Sequence, residues 1–180
     1  MRRNRPTTPC GPSLARAYDD HVWHVYGFFA YRTGSRDDAE DLTQATFERA
    51  VRAWSRFDDR RGTVRTWLMS IAHNLLIDHY RAGGTTRVEP LESGALGDAE
   101  PRVAGPETSL GLSPELAAAL AELGDRDREI IALRFGGDLS GREIAELLDL
   151  SLANVQQVLS RSLRRLRAHL EEGEPTARRA

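Results

Sequence analysis

Between Leu14 and Arg81, apolar side chains recur every three or four positions in three successive segments, with few β-branched runs. That period puts them on one side of a 3.6-residue helix and leaves little room for strands. The middle segment is the clearest case, with Ala39, Leu42, Thr46, Phe47, Ala50 and Trp54 falling on one stripe. The first helix is expected from about Leu14 to Arg32, stopped near Gly34, and the second from about Asp37 to Arg56. A third follows "FDDRRGT", capped by Thr63, with Val64, Trp67, Leu68, Ile71, Leu75 and Leu76 turned inward. A single amphipathic helix cannot bury its own stripe, so the three should pack as a bundle. Trp23, Trp54 and Trp67 lie on these stripes and are expected in the core.

The periodicity lapses over residues 82–112, a Gly-, Pro- and Glu-rich stretch that reads as a flexible linker. It returns over 113–171. There, Ser113-Pro114-Glu115 gives an N-cap with proline at the first helical position. Gly136-Gly137 ends a helix that begins near Asp125. Ser140 and Glu143 stand at capping-box spacing. Residues 1–13 and 172–180 read as tails. The expected fold is therefore all-α, with two small helical domains (an N-terminal bundle at 14–81 and a C-terminal helix-turn-helix at 113–171) joined by a flexible linker.

Composition excludes several classes. Cys10 is the only cysteine, so neither an internal disulfide nor a cysteine-based zinc site is possible, and a reducing compartment fits. No stretch has the length of a membrane span and the basic start lacks an apolar run, so no membrane insertion and a cytoplasmic location are expected.

Every one of the 25 cationic side chains is arginine, yet the net charge is -2. The charges are segregated. Residues 115–150 hold nine acids and four arginines, whereas 151–170 hold four arginines and no acid. Phosphate responds to the local field rather than to the total, so the last helix can be cationic on an acidic body. The segment "SGREIAELLDLSLANVQQVLSRSLRRLR" has the layout of a helix-turn-helix. Ile144, Ala145 and Leu148 are expected inward on its first helix, Leu150 in the turn, and Val155, Leu159, Leu163, Leu166 and Leu170 inward on its second. Asn154, Gln156, Gln157, Ser160, Arg161, Arg164 and Arg165 remain outside, and amides and guanidinium groups are suited to base edges and phosphates in a major groove. A merely solvated helix face would look similar. The first block repeats the segregation, acidic over "DDAEDLTQATFE" and basic over "RAVRAWSRFDDRRGTVR", which helix-dipole chemistry explains in part.

"DDAEDLTQATFERAVRAWSRFD" followed by "GTVRTWLMSIAHNLLIDHYR" resembles region 2 of the extracytoplasmic-function (ECF) sigma factors of the sigma-70 family. "LAELGDRDREIIALRFGGDLSGREIAELLDLSLANVQQVLSRSLRRLR" resembles their region 4. The resemblance implies a subunit that binds core RNA polymerase through its clamp coiled coil and flap, recognises the -35 and -10 promoter elements and promotes DNA opening. By that resemblance Asp41, Gln44 and Glu48 would meet the polymerase. Arg60, Arg61, Arg65, His73, Asn74 and Arg81 would face the separated -10 strand, and the seven outward residues from Asn154 to Arg165 the -35 duplex. The linker would thread toward the RNA exit path, and an anti-sigma factor would be a further partner. The chain departs from the family at Gln156 and Val158, where Lys and Arg are frequent, at His73, where Arg is frequent, near Gly124, where Pro is usual, and at Asp149, where Gly is common. Asp tolerates left-handed geometry, so the turn should survive.

Two other readings compete. One is a helix-turn-helix regulator that works without polymerase, its N-terminal bundle sensing a signal or dimerising. The other is a metal phosphohydrolase suggested by His73, Asp78 and His79 in "HNLLIDH", but five-residue spacing places His73 and Asp78 poorly on one helical face. No enzymatic activity, catalytic residue, metal or cofactor is expected.

Overall fold

The computed structural model describes residues 13–82 and 112–173, with side chains to residue 171. The two tails and the linker, with Cys10, lie outside the described residues apart from their innermost positions. The described residues form seven α-helices and no strand.

Helix α1 spans Leu14–Thr33. The Ser13 hydroxyl accepts from the Arg16 N–H at its start, and Gly34 closes it in the left-handed conformation at φ 64. Helix α2 runs Arg36–Ala53 from a Ser35 cap, then tightens into a 3-10 turn at Trp54–Arg56, so the expected single helix loses its last turn to tighter geometry. A second 3-10 turn at Asp59–Arg61 leads into α3, Val64–Ala82. The Thr63 hydroxyl caps α3 by accepting from the Thr66 N–H at 3.1 Å. The second block contains α4, Pro114–Ala121; α5, Asp125–Ile131, which widens into a π-helical turn at Ala132–Gly136; α6, Gly141–Leu147; and α7, Leu152–Gly173.

Local chemistry fixes the junctions of the second block. Buried Arg128 donates to the carbonyls of Leu120, Ala121 and Leu123 at 2.8, 2.7 and 3.0 Å; Leu120 also accepts from the Leu123 N–H, whereas Ala121 and Leu123 are acceptors that the end of α4 leaves to the guanidinium. The Ser140–Glu143 capping box is complete, with both reciprocal hydrogen bonds present. Asp149, between α6 and α7, takes φ 52, the left-handed geometry expected of the turn. Asp138 takes φ 50, which nothing in the sequence pattern signalled.

The blocks do not stand apart. Val25, Phe28 and Phe29 of α1 and Leu68, Met69 and Leu76 of α3 belong to the same apolar cluster as Ile130, Leu133, Leu139, Ile144 and Val155. A smaller cluster of Ala119, Leu120, Leu123, Ile131 and Leu166 joins α4 to α7. Each block's stripes are completed partly by the other, a step that helical periodicity alone does not specify. No described helix is long and apolar enough to cross a membrane.

Candidate nucleic-acid and polymerase interfaces

The α7 face is built from the helix-turn-helix outward. Ser151 caps α7, its hydroxyl accepting from the Asn154 N–H at 3.2 Å. Val155, Val158, Ser162 and Leu166 form the buried row. This corrects the sequence expectation, because Leu163 and Leu170 are 43% and 37% exposed, and Val158 and Ser162 take the inward places. The helix is rotated so that its leucine edge meets solvent. That edge joins Phe135, Tyr31 and Leu116 in an apolar groove of about 510 Å³.

All seven outward residues nominated on α7 are exposed, yet they differ in what holds them. Gln157, Ser160 and Arg164, spaced i, i+3, i+7, lie opposite the buried row. The Arg164 Nε reaches only the Ser160 carbonyl of its own helix, at 3.3 Å. Arg161 is tied back to both Asp127 oxygens at 2.9 and 3.0 Å, and Arg165 donates to the Glu122 carbonyl at 3.2 Å. Asn154 shares their flank, and Gln156 lies on the other.

On α2, Asp41, Gln44 and Glu48 share one exposed face. The Gln44 amide donates to Glu48 at 3.1 Å, and Glu48 pairs with Arg52 at 3.5 Å. Beside them runs a groove of about 890 Å³ lined by Tyr18, Trp23, Tyr26, Phe47 and Val51. Trp23 is 47% exposed, which overturns its assignment to the core. Its apolar position on the stripe was legible, but the α1 stripe is wider than the surface α2 and α3 cover. Trp54 and Trp67 are half-buried and pack with Phe57 in an aromatic cluster, the Trp54–Phe57 pair stacked at 5.6 Å.

The residues nominated for the -10 strand are dispersed in environment. Arg60 folds onto Asp58, its Nε and NH2 donating to the two carboxylate oxygens at 2.9 and 3.0 Å, which holds that carboxyl below its usual range. Arg61, Asn74 and Arg81 are exposed. Arg65 and His73 are not open: Arg65 pairs with Asp138 at 2.6 Å, and the His73 Nε2 pairs with Glu129 at 2.9 Å. Asp138 and Glu129 come from the other block and were missed, since nothing in a linear pattern pairs residues across a linker. Tyr80 donates its hydroxyl to the Arg32 carbonyl at 3.0 Å, and burial raises its pKa.

The phosphohydrolase constellation does not assemble. His73 pairs with Glu129, Asp78 with Arg49 at 3.4 Å, and the His79 ring packs on Tyr80. Among the described residues no group of three His, Cys, Asp or Glu side chains could hold a metal ion.

A capped helix-turn-helix with an arginine- and amide-bearing second helix, beside a three-helix bundle with an acidic face, has the anatomy of a two-region sigma-70 protein. The sigma-70 region 2 model matches residues 17–86 and the sigma-70 region 4 model residues 119–168. The ECF sigma factor RpoE of Cereibacter sphaeroides is 31% identical over 158 residues, covering 88% of this chain and 86% of that protein. The ECF sigma factor BldN of Streptomyces coelicolor is 32% identical over 157 residues, or 86% of this chain; the chain spans only 59% of BldN's length. The sigma factor RpoE of Bartonella quintana, solved in complex with the anti-sigma factor NepR, shares the fold with a TM-score of 0.67 at 21% identity, over 89% of this chain and 98% of that one. The chain belongs to the ECF sigma factors of the sigma-70 family.

Proposed function

We propose that this protein is a dissociable promoter-specificity subunit of bacterial RNA polymerase, acting in the cytoplasm and carrying out no chemistry of its own. Asp41, Gln44 and Glu48 on α2 meet the clamp coiled coil, and the apolar edge of α7 with Phe135 meets the flap. The α7 face reads the -35 duplex. Arg60, Arg61, Arg65, His73, Asn74 and Arg81 contact the unpaired -10 strand, where bases leaving the stack regain energy through stacking and edge hydrogen bonds, on the order of a few kcal/mol each. An anti-sigma factor is the corresponding regulator, as NepR is the partner of the Bartonella protein.

The observation that carries this reading is the ordered pair of region matches, with the α7 residues all exposed on a helix that starts from a Ser151 cap. The test is transcription in vitro with core polymerase and a promoter library. Sequence-selective initiation that depends on the added chain is expected. A chain that holds an operator as a dimer and leaves core polymerase unselective would replace this reading with the polymerase-independent regulator.

A further inference from the structure

The groove between α1 and α2 has two unlike walls. Tyr18, Val22 and Tyr26 line it from α1, and Glu40, Gln44 and Glu48 line it from α2. Both sets recur every fourth residue, so each wall is one continuous helical row. Phe47 joins the rows, its ring 4.8 Å from that of Tyr18 in an edge-on contact. Trp23 stands beside them edge-on to Tyr26 at 6.2 Å, and Tyr18, Trp23 and Val51 are all about half exposed. Asp37 and Asp41 extend the acidic side and are exposed. One cation, Arg36, lines the far end and is paired with Glu40 at 2.7 Å.

Residues 1–12, "MRRNRPTTPCGP", have the complementary chemistry. They hold Arg2, Arg3 and Arg5 and no acid. Pro6, Pro9 and Pro12 are spaced by three, the repeat of a polyproline II helix, so the three rings fall on one face, with Arg3 on the same row. Proline-rich segments of this kind dock in aromatic-lined grooves, because their extended shape is set before binding and little entropy is lost. The entry point also fits. Ser13 caps α1 five residues before Tyr18, so residues 1–12 join the molecule at the mouth of the groove. At about 3.1 Å per residue, Pro9 to Arg3 covers about 19 Å in that extended form. Tyr18 to Ala30 covers about 18 Å of α1 at about 1.5 Å per residue. With Pro9 beside Tyr18, the arginines therefore reach the half of the groove that Glu40 lines.

We propose that the groove between α1 and α2 is the docking site of the chain's own residues 3–12, with prolines against the α1 aromatics and Arg3 and Arg5 along the acidic α2 row. The docking stands on the groove itself, while its consequence rests on the sigma-factor reading. Gln44 and Glu48 belong both to the groove wall and to the face assigned to polymerase, so the docked segment and the clamp compete for them. A tethered segment works at an effective concentration on the order of 1 mM, so a weak intrinsic Kd of about 0.2 mM leaves the groove about five-sixths occupied and a competitor about sixfold weaker.

The test uses the full chain with a nitroxide on Asn4→Cys in a Cys10→Ser background, read by amide line broadening in isotope-labelled protein. The Gly34 and Ser35 amides, at the far end of the groove, should broaden. Adding Pro6→Ala with Pro9→Ala, or Arg3→Glu with Arg5→Glu, should remove at least half of that broadening, and none of these substitutions touches a helix. Absent broadening, or equal broadening in all three proteins, would overturn the docking. Broadening in a mixture of isotope-labelled and separately spin-labelled chains would assign the groove to a second copy's segment and overturn the intrachain contact. In a polymerase titration, Pro6→Ala with Pro9→Ala should tighten core binding about fivefold, and unchanged affinity would remove the competition. Core-dependent initiation by the wild-type chain keeps the failures distinct: lost broadening with initiation intact sinks only the docking, and broadening without initiation sinks only the sigma reading.

Discussion

Helices α3 and α7 both carry cationic side chains suited to nucleic acid, and they are presented in opposite ways. On α7 the outward row of Gln157, Ser160 and Arg164 faces solvent, and among the described residues Arg164 binds nothing beyond its own helix. On α3, Arg65 and His73 are held by Asp138 and Glu129 from the other block. Charge type is a property of the residue, whereas availability is a property of what packs against it. The α7 face is open as it stands, whereas Arg65 and His73 already hold carboxyl partners.

The largest effect should come from the corner that presents α7. Arg128→Ala removes a donor from three carbonyls at the end of α4 and leaves those of Ala121 and Leu123 without one, since Leu120 keeps the Leu123 N–H. A loss of about 3 kcal/mol in urea unfolding is expected, with weakened -35 duplex binding. Arg128→Lys should recover only part of it, since one ammonium cannot span three acceptors in the guanidinium's planar fork. Full stability in Arg128→Ala would mean that α7 is presented without this corner.

Next in size is a control within the first block. Among the described residues the α2 face is as open as α7, so their cover is confined to the α3 side rather than shared by the whole bundle. Glu48→Arg reverses the charge of a residue already linked to Gln44 and Arg52. It should weaken association with core polymerase at least tenfold, about 1.4 kcal/mol, with helical circular dichroism unchanged. Normal holoenzyme formation would show that another face docks.

Much of this was readable from the chain. Helical spacing, the Thr63 and Ser113 caps, the Ser140–Glu143 box and the left-handed turn at Asp149 are local rules, and local rules act over three or four residues. The outward α7 residues followed from the same periodicity. Leu163, Leu170 and Trp23 did not, because an apolar residue at a stripe's edge is buried only if a neighbour is wide enough to reach it, and that is a tertiary property. The contact of Gly27 with Gly136 and the pairings of Glu129 and Asp138 were also out of reach, since each involves residues on opposite sides of the linker.

Within α7 the comparison repeats on a smaller scale. Among the described residues Arg164 reaches only the Ser160 carbonyl of its own helix, while Arg161 has a carboxylate, Asp127, whose side chain is only 13% exposed. Arg164→Ala should lower the salt slope of duplex binding by about 0.9, the value of one phosphate contact. Arg161→Ala should change that slope less and instead reduce stability by roughly 0.5–1 kcal/mol, because it strands Asp127. Equal slopes for the two variants would mean that Arg161 leaves Asp127 for DNA.

The smallest effect separates the two faces by pH. Duplex binding through the amides, hydroxyl and guanidinium groups of α7 should be flat from pH 6 to 8. The covered side differs. His21 on α1 has a pKa pushed below its ordinary 6.5, first by burial and then by neighbouring His24 and by Arg65, with Asp20 opposing. Its Nδ1 is buried and accepts no hydrogen bond. A pKa lowered on folding means that the unfolded chain takes the proton more readily, so the folded state is favoured above pH 6.5 and loses that advantage as the pH falls through the histidine range. Melting temperature should therefore drop between pH 7.5 and 5.5, and His21→Gln, which cannot be protonated, should reduce that drop by about 1–2 °C. An identical pH dependence in wild type and His21→Gln would place the acid sensitivity elsewhere and remove the contrast in titration between the covered and the open face.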